Sequence, residues 1–259
     1  MEQNSEQWHE WRKLGLGGSD IAGVIGVCKY SSPHMIWSDK AIGAIRFEGN
    51  HATNMGRELE DKARKRYELF YLEDMPPALA IHPKYDICRV SLDGFNGKTI
   101  LEIKCVGLET HNIARSGKVP DHYWPQVQWQ LCATGADELH YFSYYDKEQS
   151  HALVCVKPDV EYQGMLLAKA LDFWERYVSS KTPPPLTDMD IKLVSTPEIQ
   201  ALMLQLKDKD KMKKSDFDAA KKRVIELGGH SRIRCGNVLV TKINDVYRMT
   251  TAKQEGIGK

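Results

Sequence analysis

The sequence predicts an α/β fold, a central mixed β-sheet with helices packed on both faces, followed by a small C-terminal helix-plus-hairpin appendage. Three observations predict it. Patterns of helical and strand period alternate along residues 5–180 in the order helices, strands, helix, strands, helix. The run Lys181-Thr-Pro-Pro-Pro185 then breaks the chain ahead of a charged helical stretch. Finally, 259 residues that are 42% hydrophobic and 27% charged can sustain a substantial core. The expected organisation is a core over residues 1–180, a proline-rich linker over 181–196 and an appendage over 197–259.

Residues 5–13 read as a short helix carrying Trp8 and Trp11. The glycine-rich stretch Leu14 to Gly26 follows, with Ser19 placed to cap a short helix and Ile21, Ala22, Val24 and Ile25 on its apolar side. Such a serine is an ordinary cap or, with its hydroxyl exposed, a phosphate contact. Pro33 opens a helix through Met35, Ile36, Trp37 and Ala41, and residues 43–51 read as a loop. The helix expected at 52–72 repeats Met55, Leu59, Ala63, Tyr67 and Phe70 at spacings of three and four, so these form its buried face. Glu60 sits at the edge of that face, where it is either solvated or turned into a site.

Met75-Pro-Pro77 breaks the chain before strands at 79–83 and 86–92, and a third strand spans 99–106. A loop with His111, Arg115 and Lys118 leads to a helix ended by Gly135, on which Gln126 and Gln130 share one face. Residues 138–145 and 151–156 read as antiparallel strands, and 159–180 as a helix. Beyond the linker, 197–227 is a charged helix or helical pair, and 231–250 a hairpin turning at Asn244-Asp245.

Composition bounds the function. The net charge of +1 excludes a globally basic nucleic-acid binder, so any positive surface must be local. No stretch is apolar for the roughly 20 residues a membrane span needs. The polar N-terminus lacks the apolar segment of a secretory signal. The six cysteines form no CxxC pair, which favours free thiols in a reducing compartment over zinc.

Chemistry concentrates in residues 91–104. Asp93 sits at a turn beside Gly94, and the apolar run Ile100-Leu101-x-Ile103 marks a strand. Glu102 and Lys104, two apart, share one face of it while Leu101 and Ile103 take the other. Two carboxylates for a hard cation and a lysine beside them are what metal-dependent phosphodiester cleavage requires. Glu-x-Lys is equally the pattern of a solvated sheet face, and Gln126 with Gln130 that of a polar helix face.

The motifs taken together resemble the phage lambda exonuclease and YqaJ-type viral recombinase family, within the PD-(D/E)xK nucleases. They are Trp8-x-x-x-Arg12 with Leu14-Gly-x-Gly-Gly-Ser19-Asp20, Gly56-Arg-x-x-Glu60, Ser91-Leu-Asp93-Gly94, Leu101-Glu102-Ile-Lys104-Cys105 and Tyr123-x-x-Gln126-Val-Gln128. Leu92 stands where many relatives have proline, and the resemblance stops at about Trp174, leaving the appendage without a role. The resemblance implies metal ligation by Glu60, Asp93, Glu102 and the carbonyl of Ile103, with two Mg²⁺ per site and Mn²⁺ accepted by the same oxygens. It implies that Lys104 activates a water supported by Gln126, and that Arg12, Ser19 and Ser91 grip a DNA 5′-phosphate. It further implies a homotrimeric ring that digests duplex ends 5′→3′ to 3′ overhangs and releases 5′-mononucleotides. A single-strand annealing protein would be its partner, in the cytoplasm of a bacterial host, encoded by a phage or prophage. The alternatives are an endonuclease or resolvase of the same superfamily, or a non-catalytic DNA-binding assembly module.

Overall fold

The structure is a computed structural model that describes residues 5–43, 51–243 and 246–251, and for 51–58 and 209 the backbone alone. The loop expected at 43–51, the Asn244-Asp245 turn and the side chain of Met55 thus lie largely or wholly outside the described residues. The chain divides into two compact units, Met1–Pro185 and Leu186–Lys259.

The first unit begins with helix α1 (Glu6–Lys13), capped by Ser5, whose hydroxyl accepts the Trp8 N–H at 3.2 Å. Helix α2 (Gly18–Val24) follows, then α3 (Pro33–Ile42), capped by Ser32 and closed by Gly43 in the left-handed region. Helix α4 (His51–Tyr71) leads into strands β1 (Ala78–Ile81) and β2 (Arg89–Leu92), an antiparallel pair. Then come β3 (Gly94–Phe95), β4 (Thr99–Cys105), α5 (Leu108–Arg115), α6 (Trp124–Thr134), β5 (Glu138–Tyr145), β6 (Ser150–Val156) and α7 (Val160–Phe173). The last continues as wider π-type turns over Trp174–Ser179.

The central sheet runs β3-β4-β5-β6 and is mixed: β4 and β5 are parallel, the outer pairs antiparallel. Parallel neighbours need a long crossover, which α5 and α6 supply. The sheet is covered on both faces. Leu101, Ile103, Phe142 and Tyr144 pack with Ala63 and Tyr67 of α4. Ile100, Leu139 and Tyr141 pack with Val127, Trp129 and Leu131 of α6 in the larger cluster, which also takes in α2 and α7.

Two close approaches position the site. Leu16 pairs with Cys88 as an isolated parallel bridge, its N–H donating to the Ile87 carbonyl at 2.7 Å, so the segment after α1 runs beside the entry to β2. Trp129 locks this from α6 by donating Nε1–H to the Leu16 carbonyl at 2.9 Å. At Gly94 a Cβ would stand 2.7 Å from the Met75 Cβ and 2.8 Å from its carbonyl oxygen. Gly94→Ala is therefore expected to cost about 2 kcal/mol or more, as overpacking against backbone does. Thermal unfolding of the variant measures it, and an unchanged midpoint would contradict the contact.

The second unit has its own core. Strand β7 (Lys192–Leu193), helices α8 (Pro197–Lys207) and α9 (Lys214–Gly228) and strands β8 (Arg232–Cys235), β9 (Val238–Ile243) and β10 (Val246–Thr251) form a sheet ordered β10-β9-β8-β7. Ile199, Met203, Leu206, Val224, Ile233, Val238 and Val240 fill the space between helices and sheet.

Several expectations are corrected. Residues 108–115 form α5, not a loop. Its buried positions are His111 and Ala114 while Leu108 and Ile113 are exposed, so no apolar periodicity announces it. His111 instead bonds Ser143 at 2.8 Å and Ser150 at 3.1 Å. Phe70, expected in the buried face of α4, is 56% exposed and lies under the Arg66 guanidinium at 5.0 Å. Within the expected linker, residues 186–196 belong to the second unit, because β7 pairs in parallel with β8. The expected hairpin is part of a four-stranded sheet.

Candidate active site

Glu102 is the pivot. It lies on β4 with 1% of its surface exposed, so its face of the strand is not solvated. Three donors hold it. Oε1 accepts from Lys104 Nζ and from Gln126 Nε2 (2.6 Å), and Oε2 accepts from Gln130 Nε2 (2.6 Å). Gln126 and Gln130 are one turn apart on α6, and both turn onto this carboxylate. Gly18 of α2 permits the arrangement: a Cβ there would sit 3.1 Å from the Gln126 Cγ.

Asp93 follows β2 and accepts the Ile103 N–H on Oδ2 at 2.7 Å. Burial, then the neighbouring Glu102 charge, pushes its carboxyl well above the ordinary carboxylate range, with Lys104 pulling it part of the way back. Glu60 reaches the site from α4, on the opposite face of the sheet from Glu102. Burial raises its carboxyl too, Arg64 opposing and Glu102 adding to the rise. Burial alone would lower the Lys104 ammonium, but the Glu102 and Asp93 carboxylates outweigh it and hold it above its usual value. The ammonium also sits 5.1 Å from the centre of the Tyr123 ring.

The carboxylates suit a hard divalent cation by their chemistry. Glu102 adds to the rise of both Asp93 and Glu60, a cost that a cation relieves. Glu102 Oε1 already takes two hydrogen bonds while Oε2 takes one, leaving Oε2 a lone pair. Two buried atoms beside Glu102, Gln130 Oε1 and Tyr141 Oη, have no hydrogen-bond partner, as at a place completed by bound water or a hydrated ion. Among the described residues, no three His, Cys, Asp or Glu side chains stand gathered as a ready ligand set. Arg64 holds Glu60 at 3.0 Å and Lys104 holds Glu102, so ligation requires side chains to turn.

Beside the carboxylates lies a cavity of about 160 Å³ lined by Trp8, Trp11, Arg12, Gly17, Gly18, Ser19, Arg89, Ser91, Asp93 and Gln126. All three residues expected to grip a phosphate stand in it with two expected at the chemistry. Arg12 donates to the Ser19 hydroxyl at 3.0 Å and stacks on Trp8 at 4.8 Å. Ser19 does not cap α2. The cap residue is Gly17, whose N–H donates to Asp20 at 2.9 Å, which leaves the Ser19 hydroxyl exposed to the cavity. Asp20 is fully buried and pairs with Lys40 at 3.0 Å.

Reasoning from sequence missed Gln130 as a Glu102 ligand, Arg64 as the clasp on Glu60, and Arg89 and Trp11 as cavity walls. Spacing held a signal for each: Gln130 is four after Gln126, Arg64 four after Glu60, Trp11 three after Trp8, and Arg89 two before Ser91. The Asp20–Lys40 pair had none.

Comparison with known proteins fits this geometry. The family model described as the YqaJ-like viral recombinase domain matches residues 7–137. Protein YqaJ of Bacillus subtilis (strain 168) is 26% identical over 191 residues, 71% of this chain but only 60% of that protein. The crystal structure of an alkaline exonuclease (LHK-Exo) from Laribacter hongkongensis superposes with a TM-score of 0.61 at 24% identity, covering 69% of this chain and 94% of the other. The same exonuclease in complex with dAMP gives 0.61 at 23% identity, over the same shares. These two share the fold of this chain.

Proposed function

The chain belongs to the YqaJ-like viral recombinase domain family, and on that premise we propose that it is a metal-dependent exonuclease of duplex DNA ends. It digests one strand 5′→3′, releases 5′-mononucleotides and leaves a 3′ overhang for single-strand annealing. One observation carries this reading: Arg12, Ser19 and Ser91, suited to a terminal phosphate, share a cavity with Asp93 and Gln126. An endonuclease has no use for an end-binding pocket beside its cutting residues, and an assembly module none for two carboxylates, Asp93 and Glu60, raised by the charge of a buried third.

Glu60, Asp93, Glu102 and the Ile103 carbonyl would hold the cation, Mg²⁺ or Mn²⁺, two ions per site. When bound, it supplies charge stabilisation to the pentacovalent phosphorus and acidifies a coordinated water. The side chains do the rest. Lys104 and Gln126, both now on Glu102 Oε1, are placed to hand a hydrogen bond to a water that comes between that carboxylate and the phosphate. Gln130 keeps Glu102 in register from its other oxygen. Arg12, whose planar fork suits phosphate, anchors the end so that each cut leaves a new phosphate to be drawn in.

A homotrimeric ring would retain the duplex by topology, since a net charge of +1 offers little electrostatic clamping. A single-strand annealing protein is the proposed partner, and the cytoplasm of a phage- or prophage-bearing bacterium the proposed location. Among the described residues no helix is long and apolar enough to cross a membrane.

The test is digestion of a 5′-labelled linear duplex with and without Mg²⁺, beside a closed circle. Loss of the 5′ label as mononucleotide, only with metal and only from linear DNA, is expected. Cutting of the circle would favour the endonuclease. In the same assay Arg12→Ala is expected to lower the preference for 5′-phosphate over 5′-hydroxyl ends by about tenfold or more, the size of a charge-assisted hydrogen bond. Equal loss on both ends would instead mean that Arg12 serves folding, through its 3.8 Å approach to Asp20.

A further inference from the structure

We propose that Arg89, seated on Trp11, is a second phosphate-binding cation of this cavity, and that with Arg12 it selects a terminal phosphate monoester over the diesters along the strand. The proposal rests on the exonuclease reading for its substrate class.

Arg89 lines the cavity from β2, two residues before Ser91 and therefore on the same face of the strand. Its guanidinium lies 5.5 Å from the centre of the Trp11 ring. Its Nε donates to the Asp86 carbonyl at 2.8 Å, which occupies one of five N–H donors and leaves the outer fork free to bind. Gly15 lets the aliphatic stem pass, since a Cβ there would come within 2.9 Å of the Arg89 Cδ. The neighbouring cations are paired: Arg12 and Lys40 with Asp20, Arg64 with Glu60, Lys104 with Glu102. Among the described residues Arg89 has no such carboxylate. Trp8 and Trp11 are one turn apart on α1, and each seats one arginine.

Charge decides what the second cation is for. Arg12 shares its charge with Asp20, so alone it balances little more than the single charge of a diester. A terminal monoester carries about −1.5 to −2 near pH 7. An arginine without a carboxylate of its own matches that additional charge, and only a strand end has it. Stacking on Trp11 pre-orders the fork, so less side-chain entropy is lost when phosphate binds.

The probe is a set of short fluorescent duplexes ending in 5′-phosphate, 5′-monomethyl phosphate or 5′-hydroxyl, titrated by anisotropy in EDTA so that nothing is hydrolysed. The wild-type chain is expected to bind phosphate more tightly than methyl phosphate. Arg89→Gln should weaken phosphate binding by about tenfold or more and bring the phosphate-to-methyl-phosphate ratio close to one. The slope of log affinity against log salt should fall by about one. Trp11→Leu, which keeps the charge and removes its seat, should lower the same ratio, and Arg89→Lys should restore part of it. Thermal unfolding checks that the variants fold. The proposal fails if Arg89→Gln and Trp11→Leu keep the wild-type ratio, or if affinity for all three ends drops alike. A wild-type chain that digests duplex yet binds the three ends equally overturns it and leaves the exonuclease reading standing. One that ranks the ends as expected but never digests DNA does the reverse.

Discussion

Asp93→Asn is expected to lower Mg²⁺-dependent digestion by about a thousandfold or more while making the metal-free protein more stable. The first effect follows if Asp93 holds the cation as proposed, since such an ion contributes several kcal/mol at the transition state and each 1.36 kcal/mol is worth tenfold. The second follows from the direction of the Asp93 shift. Burial and Glu102 raise its carboxyl in the folded state, so the charged form is the costly one. The penalty sets in as pH rises past the unfolded value of about 3.9 and is complete above the folded value. Asparagine keeps an acceptor for the Ile103 N–H, made at 2.7 Å by the native carboxylate, and removes the charge. A melting temperature higher by a few degrees at alkaline pH is the expected reading, since about 1 kcal/mol moves a protein of this size by 2–4 °C. Activity lost together with stability would point to misfolding, and activity retained would remove Asp93 from the site.

Lys40→Met is expected to cost about 3–5 kcal/mol, a fall of roughly 10 °C in melting temperature. Lys40 and Asp20 have 1% and 0% of their side chains exposed, and Lys40 also donates to the Arg12 carbonyl at 2.9 Å. Removing the lysine takes from a buried carboxylate the cation 3.0 Å from it, with the Gly17 N–H and an arginine 3.8 Å away still among its partners. The double variant Asp20→Asn/Lys40→Met should recover most of the loss, because a buried pair replaced by neutral groups costs far less than one broken in half. A single variant that loses under about 1 kcal/mol would make the pair no stronger than a surface one.

Legibility followed the kind of pattern each residue sits in. Pro33 opens α3 and Gly135 ends α6 in the left-handed conformation, because helix starts and stops are local chemistry. Alternation along β4 correctly put Glu102 and Lys104 on one face. The α5 helix escaped because a histidine and an alanine bury it, and β7 because two residues alone make no pattern. For Ser19 the sequence leaves both a cap and a phosphate contact open, because serine at a glycine turn usually caps, but Asp20 does that work from inside α2.

Local patterns suffice for the class of fold, for most of its elements in order, and for which acidic, basic and amide residues are available for chemistry. These rest on periods of two and 3.6 and on motif spacing, all of which lie within a few residues of chain. Packing between elements is what closes both Gln126 and Gln130 on Glu102 and brings Arg89 beside Arg12 on a two-tryptophan helix. These contacts join different elements, 24 and 28 residues apart for the two glutamines and Glu102 and 78 apart for Trp11 and Arg89. They depend on close approaches at Gly15, Gly18 and Gly94 that no local pattern encodes.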